Sequence, residues 1–204
     1  HMGESALADT GRNFGLSGAA LKWIAMITML IDHIGAVVME YGLYYQGGAE
    51  TFRRLLDSGN GQWLDTFQRL MRMVGRPSFL LYSFLLVEGF FHTRSRKRYT
   101  FQMLLFALIS EIPFDLAASN RWFYLGYQNV FFEFLIGLTV LWGMEQAVIF
   151  GKTLLTVEAG KIFAVALGCM AAVFIQADYD YIGIIIIAAF YEFHASRAGR
   201  SLSA

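Results

Sequence analysis

Apolar positions along this chain fall in long runs, and polar positions collect between them. A helix that crosses a bilayer needs about 20 mostly apolar residues. Six runs approach that length: 19–40, 75–91, 100–118, 129–149, 160–176 and 181–194. The last two are short by this rule, and 181–194 reads as a partial or tilted span. Pro113 lies inside the third run, where it bends a helix by removing one backbone donor. The pattern predicts an all-α fold, a polytopic membrane bundle of about six transmembrane helices.

The stretch 41–73 follows a different rule. It mixes Arg53, Arg54, Asp57, Asp65, Arg69 and Arg72 with Phe52, Leu55, Leu56, Trp63, Leu64, Phe67 and Leu70. Gly59-Asn60-Gly61 divides it. Two short amphipathic helices lying at the membrane interface fit this pattern, and a polar loop is the alternative.

Composition supports the membrane reading. Charged residues make up 16% of the chain and mean hydropathy is +0.48. A soluble domain carries about 25% charged residues, so much of this surface does not face water. Formal net charge is zero, which gives no pull toward nucleic acid. Cys169 stands alone in an apolar run, so no internal disulfide forms. His1-Met2 reads as a tag remnant, and 1–16 as a polar N-terminal segment without the apolar run of a signal peptide. Residues 17–196 then form one transmembrane domain, and 197–204 a polar tail.

Basic residues in short loops set orientation. Arg12, Lys22, Arg94, Arg96, Lys97, Arg98, Lys152, Lys161, Arg197 and Arg200 all fall on one side of a six-span topology. That side is expected to be the cytoplasm, with both termini inside, in the cytoplasmic membrane. The arginines of 41–73 are an exception, since they fall outside.

Ionisable groups in hydrocarbon cost a few kcal/mol each and are functional candidates by default. The runs contain Asp32, His33, Arg76, Glu88, Glu111, Asp115, Asn129 and Glu133. At 1.5 Å per residue, His33 lies roughly 16 Å along its helix from Lys22, and Glu111 roughly 20 Å from Arg98. Those depths, with Arg76, Asn129 and Glu133 near the outer ends of their runs, predict one polar cavity opening outward. Glu88 is the outlier, near the inner end. Glu111 and Asp115 share a helix face, and Arg76 is their expected cation. His33 is the expected proton acceptor, because imidazole titrates near neutral pH. Asp32 is adjacent and points about 100° away, so Glu111 or Asp115 is the expected orienting group. Each residue also admits a structural reading, as a buried ion pair or a satisfied histidine. The run Arg94–Arg98 is either a topology signal or a phosphate site. The charged residues also fit a small proton-coupled transporter or a membrane assembly protein.

Several stretches carry a resemblance. They are Met29-Leu30-Ile31-Asp32-His33-Ile34-Gly35, Gly75-Arg76-Pro77-Ser78-Phe79, Glu88-Gly89-Phe90 with His92-Thr93-Arg94, Ser110-Glu111-Ile112-Pro113-Phe114-Asp115, and Gln128-Asn129-Val130-Phe131-Phe132; Asp178-Tyr179 with Gly183 matches more weakly. In this order they resemble the TraX family of membrane acetyltransferases, whose founding member acetylates the N-terminus of F-pilin. Glu133 departs from the small hydroxyl residue often found there, and Pro77-Ser78 shifts the proline. The resemblance implies acetyl transfer from cytoplasmic acetyl-CoA to an amine or hydroxyl on a peptide, a pilin-like protein or a small molecule. It casts Arg94, Arg96, Lys97 and Arg98 as holders of the CoA phosphates. His33 becomes the base, assisted by Asp32, Glu111 or Asp115. Arg76, Asn129, Glu133 and Glu88 line the substrate and oxyanion positions, and no metal is expected.

Overall fold

The computed structural model describes residues 18–35, 61–119 and 128–202, together with positions 54, 57, 59 and 126. Among the described residues the fold is all helical: α1 (Gly18–His33), α2 (Gly61–Gly75), α3 (Pro77–His92), α4 (Arg96–Ser119), α5 (Val130–Phe150), α6 (Leu154–Phe174) and α7 (Asp180–Leu202). The outer part of run 19–40 and most of the first amphipathic segment lie outside the described residues. The second amphipathic segment is α2. The expected break between it and the next span is nearly absent. Arg76 keeps helical angles (φ −53°, ψ −38°) and its N–H donates to the Arg72 carbonyl at 3.0 Å. The result is one 32-residue rod from Gly61 to His92. Pro77 is tolerated because it occupies the first helical position of α3.

The two runs expected to be short extend to full helices. α6 has 21 residues and begins at a capping box, where the Thr153 hydroxyl accepts from Thr156 N–H and the Thr156 hydroxyl accepts from Thr153 N–H. α7 has 23 residues. Among the described residues three helices are long and apolar enough to cross a membrane: Gly61–His92, Val130–Phe150 and Leu154–Phe174. Large apolar side chains cover the outside, with Phe174 87% exposed, Leu155 80% and Phe150 75%. Apolar cover on that scale marks a surface made for lipid.

α5 is the central helix, packed against α3, α4, α6 and α7, while α1 packs on α2 and α3. The core is a column of Phe79, Leu86, Val87 and Phe90 from α3, Phe134, Leu138, Leu141 and Met144 from α5, and Ile184, Ile187 and Tyr191 from α7. This apolar column separates two polar layers, one at each end.

Candidate functional site

The first layer gathers where α1, α2, α4, α5 and α7 end or begin. Asp32 on α1 accepts a charge-assisted hydrogen bond from Arg72 Nη1 on α2 at 2.6 Å, and its other oxygen, Oδ1, is buried without a partner. The helices meet this closely because Gly75 has no side chain: an added Cβ would stand 2.1 Å from Asp32 Cβ. His33 is exposed, and its Nδ1–H donates to the Met29 carbonyl at 2.9 Å. That bond leaves the lone pair on Nε2.

On the far side of the layer, Asn129 caps α5. Its Oδ1 accepts from Phe131 N–H at 2.9 Å. Its amide nitrogen donates to the Ala107 carbonyl and to Glu111 Oε2, which also accepts from Asn129 N–H at 3.4 Å. Glu111 Oε1 is buried without a partner. Asp115 is one turn on, 2% exposed and within electrostatic reach of Glu111. Glu133 stands one turn after Asn129 and is fully buried; neither carboxylate oxygen meets a donor at full hydrogen-bond geometry, and the Tyr179 backbone N–H approaches it as a weak one. It is seated against Gly183, where a Cβ would come 2.4 Å from Oε1, and Asp178 and Asp180 lie within electrostatic reach.

The turn from α6 to α7 closes the layer. Gln176 and Asp180 both take positive φ, 55° and 51°, a costly conformation for residues with a Cβ. Gln128 N–H donates to the Gln176 carbonyl at 3.1 Å and fastens the turn to the start of α5. Between the two strained residues sits Tyr179. Its ring stacks on Phe79 with centroids 3.8 Å apart. Its phenol is pushed up to about 12, chiefly by burial, with Asp178 and Asp32 adding and Arg72 and Arg76 opposing.

The second layer, about 20 Å away along the helices by residue count, is built mainly of ion pairs, with His194 Nδ1 buried and unpartnered. Arg96 Nη2 donates to Glu145 Oε1 at 2.9 Å, its Nη1 donates to the Thr93 carbonyl at 2.7 Å, and the guanidinium lies 4.3 Å over the Phe90 ring. Lys161 bridges Glu158 at 3.1 Å and Glu192 at 3.0 Å. Glu88 lies 3.2 Å from His194 and 3.6 Å from His92. Arg94, Lys97 and Arg98 are exposed and form no ion pair among the described residues.

The structure thus joins Asp32, Glu111, Asp115, Asn129 and Glu133 to one end of the bundle and sets Glu88 at the other, as read from the sequence. It corrects three expectations. Glu111 is served by Asn129, whose N–H groups sit directly opposite it, and not by Arg76. Arg76 is exposed at the joint of α2 and α3, and Arg72, one turn earlier, takes the carboxylate of Asp32. His33 makes no hydrogen bond to Glu111 or Asp115, because α1 packs on α2 and α3 while α4 packs on α5. Arg96 is consumed by Glu145. Residues not singled out as site groups include Arg72, Tyr179, Glu145 and His194. Spacing could have found Arg72, four residues before Arg76, and Asp178-Tyr179 was already one of the matched stretches. Among the described residues no group of three His, Cys, Asp or Glu side chains could hold a metal ion.

A layer of buried carboxylates facing a strained turn, below the exposed basic loop of the opposite end, is the arrangement that the matched stretches surround. The TraX protein family model matches residues 17–204. The chain belongs to the TraX family. A curated relative, the probable fimbrial assembly protein FimC, serogroup H1, of Dichelobacter nodosus, is 31% identical over 137 residues, covering 64% of this chain and 47% of the relative. The chain therefore spans about half the length of that relative. No solved structure matches.

Proposed function

We propose that this TraX-family chain is a membrane acetyltransferase that moves an acetyl group from cytoplasmic acetyl-CoA to an amine or hydroxyl acceptor at the membrane or its outer face. In this reading the chain crosses the cytoplasmic membrane about six times, with both termini inside. The observation that carries it is the set of buried carboxylate oxygens left open in one layer: Asp32 Oδ1 and Glu111 Oε1, with Glu133 faced only by the Tyr179 backbone N–H. Buried acceptors without donors are rare in finished structures, and an acceptor amine brings the N–H groups they lack.

The parts divide as follows. Arg94, Lys97 and Arg98, free of ion pairs, hold the donor phosphates. Arg96 shapes their loop through Glu145. His33 takes the proton of the acceptor on Nε2, its tautomer set by the Met29 carbonyl and not by a carboxylate. Glu111, held by Asn129, receives the acceptor together with Asp115 and Glu133. Arg72 and Arg76 offset developing negative charge.

The test is binding followed by turnover. Acetyl-CoA is expected to raise the Tm of the detergent-purified protein, and replacing Arg94, Lys97 and Arg98 together by Gln is expected to weaken that binding by ~10-fold or more. An unchanged Tm with acetyl-CoA, together with no CoA released, sinks the enzymatic reading. The second reading is a membrane assembly protein of pili, favoured by the name of the Dichelobacter nodosus relative. Co-purification with a pilin subunit without any acetyl-CoA response would select it.

A further inference from the structure

The α6–α7 turn holds a donor that the roles above leave unused. Tyr179 makes no hydrogen bond through its hydroxyl among the described residues, although its ring is clamped. The Phe79 ring lies parallel to it at 3.8 Å and 16°, and Phe79 itself stacks on Phe134 at 5.6 Å. Phe79 is 1% exposed and begins the core column just after Pro77. The turn is fixed on its other side by the bond from Gln128 to Gln176. Two residues of the turn are held in the left-handed region, a strain that the surrounding structure must enforce. The fold therefore spends conformational energy to hold one phenol still, beside Glu133 and within reach of the charges on Asp32, Asp178, Arg72 and Arg76.

We propose that Tyr179 is a catalytic residue of acetyl transfer, donating its O–H to the acetyl oxygen as that oxygen becomes an oxyanion. This rests on the acetyltransferase reading and deepens it. Preorganised donors aimed at a developing oxyanion are among the largest single contributions to catalysis. A phenol that keeps its proton at neutral pH is suited to the task, and Arg72 and Arg76 offset the carboxylates nearby. The step balances. The acceptor nitrogen or oxygen attacks the thioester carbonyl carbon and loses its proton to His33 Nε2. The carbonyl electron pair moves to oxygen, where Tyr179 donates its hydrogen bond. The pair returns, the carbon–sulfur bond breaks, and the CoA sulfur leaves with its electrons and takes the proton from His33.

Tyr179→Phe keeps the ring on Phe79 and deletes only the hydroxyl. Turnover is read as CoA thiol released from acetyl-CoA, with a peptide bearing a free α-amino group or a serinol-type hydroxyl acceptor, and the product is confirmed by mass spectrometry. The expected result is a fall in kcat of ~100-fold or more, with KM for acetyl-CoA and the Tm unchanged. A kcat within about threefold of wild type overturns the proposal while leaving the acetyltransferase reading intact. A wild-type protein that releases no CoA with either acceptor overturns both. If Tyr179→Phe does not purify folded, Phe79→Leu serves instead: it removes the ring beneath Tyr179 and keeps the hydroxyl. It is expected to lower kcat by ~10-fold, and an unchanged kcat again overturns the assignment.

Discussion

The two polar layers use similar side chains and treat them in opposite ways. At the Arg96 end the part-buried charges among the described residues are paired, Arg96 with Glu145, Lys161 with two glutamates and Glu88 with two histidines, and only His194 Nδ1 is left buried without a partner. At the Asp32 end, pairing stops half-way. Asp32 and Glu111 each engage one oxygen and leave the other buried and open, and Glu133 meets only a weak donor, the Tyr179 backbone N–H. Completed pairs hold helices in register and ask nothing more of the environment. Incomplete ones keep their capacity for a ligand, at a cost in desolvation that the rest of the fold must offset. On the proposed function, the Arg96 end serves architecture and the Asp32 end chemistry.

The contrast can be broken by substitutions that should behave differently at the two ends. The largest effect is expected from Glu111→Gln, which keeps an acceptor for Asn129 and removes the charge. CoA release should fall by ~100-fold or more with little change in Tm, and His33→Ala should match it. Near-normal release in either variant would remove that residue from the site. Next comes Glu145→Gln at the opposite end. It should lower stability by ~1–2 kcal/mol, since Arg96 is left partly buried with weaker acceptors, and a chemical denaturation curve reads this directly. Turnover by the folded fraction should be retained. A loss of kcat without a loss of stability would show that the Arg96 end also takes part in the reaction. The smallest effect is expected for Lys161→Met, within ~1 kcal/mol, because both its partners are about half exposed and screened by solvent. A larger loss would mean that the α6–α7 contact at this end depends on that bridge.

Much of this was legible in the chain itself. Long apolar runs identified the helices because lipid removes the need for an amphipathic stripe, though among the described residues only three of those helices are long and apolar enough to be spans. Counting residues from the basic loops placed Asp32, Glu111, Asn129 and Glu133 at a common depth, since rise per residue is fixed in a helix. What the count could not supply was rotation and neighbour choice. Depth puts His33 and Glu111 level with each other, but it does not say that α1 packs on α3 while α4 packs on α5. The choice of Arg72 over Arg76 follows from the contact at Gly75, which is a property of two helices and not of one. The role of Tyr179 depends on a turn whose two left-handed residues, Gln176 and Asp180, carry no glycine to announce it.

The helical run from Gly61 to His92 is longer than the layer it would cross. At 1.5 Å per residue its 32 residues extend roughly 48 Å, against a hydrocarbon thickness of about 30 Å. Set upright, a rod of that length would exceed the acyl layer by roughly a third of its own length, and the stacked Trp63 and Phe67 lie near its N-terminal tip. Arg76 keeps helical angles and Phe79 N–H donates to its carbonyl at 3.3 Å, so the chain carries on as a helix past Pro77 although the proline withholds one helical hydrogen bond. The same rod therefore bears both Arg72, which holds Asp32, and Phe79, which supports the ring of Tyr179.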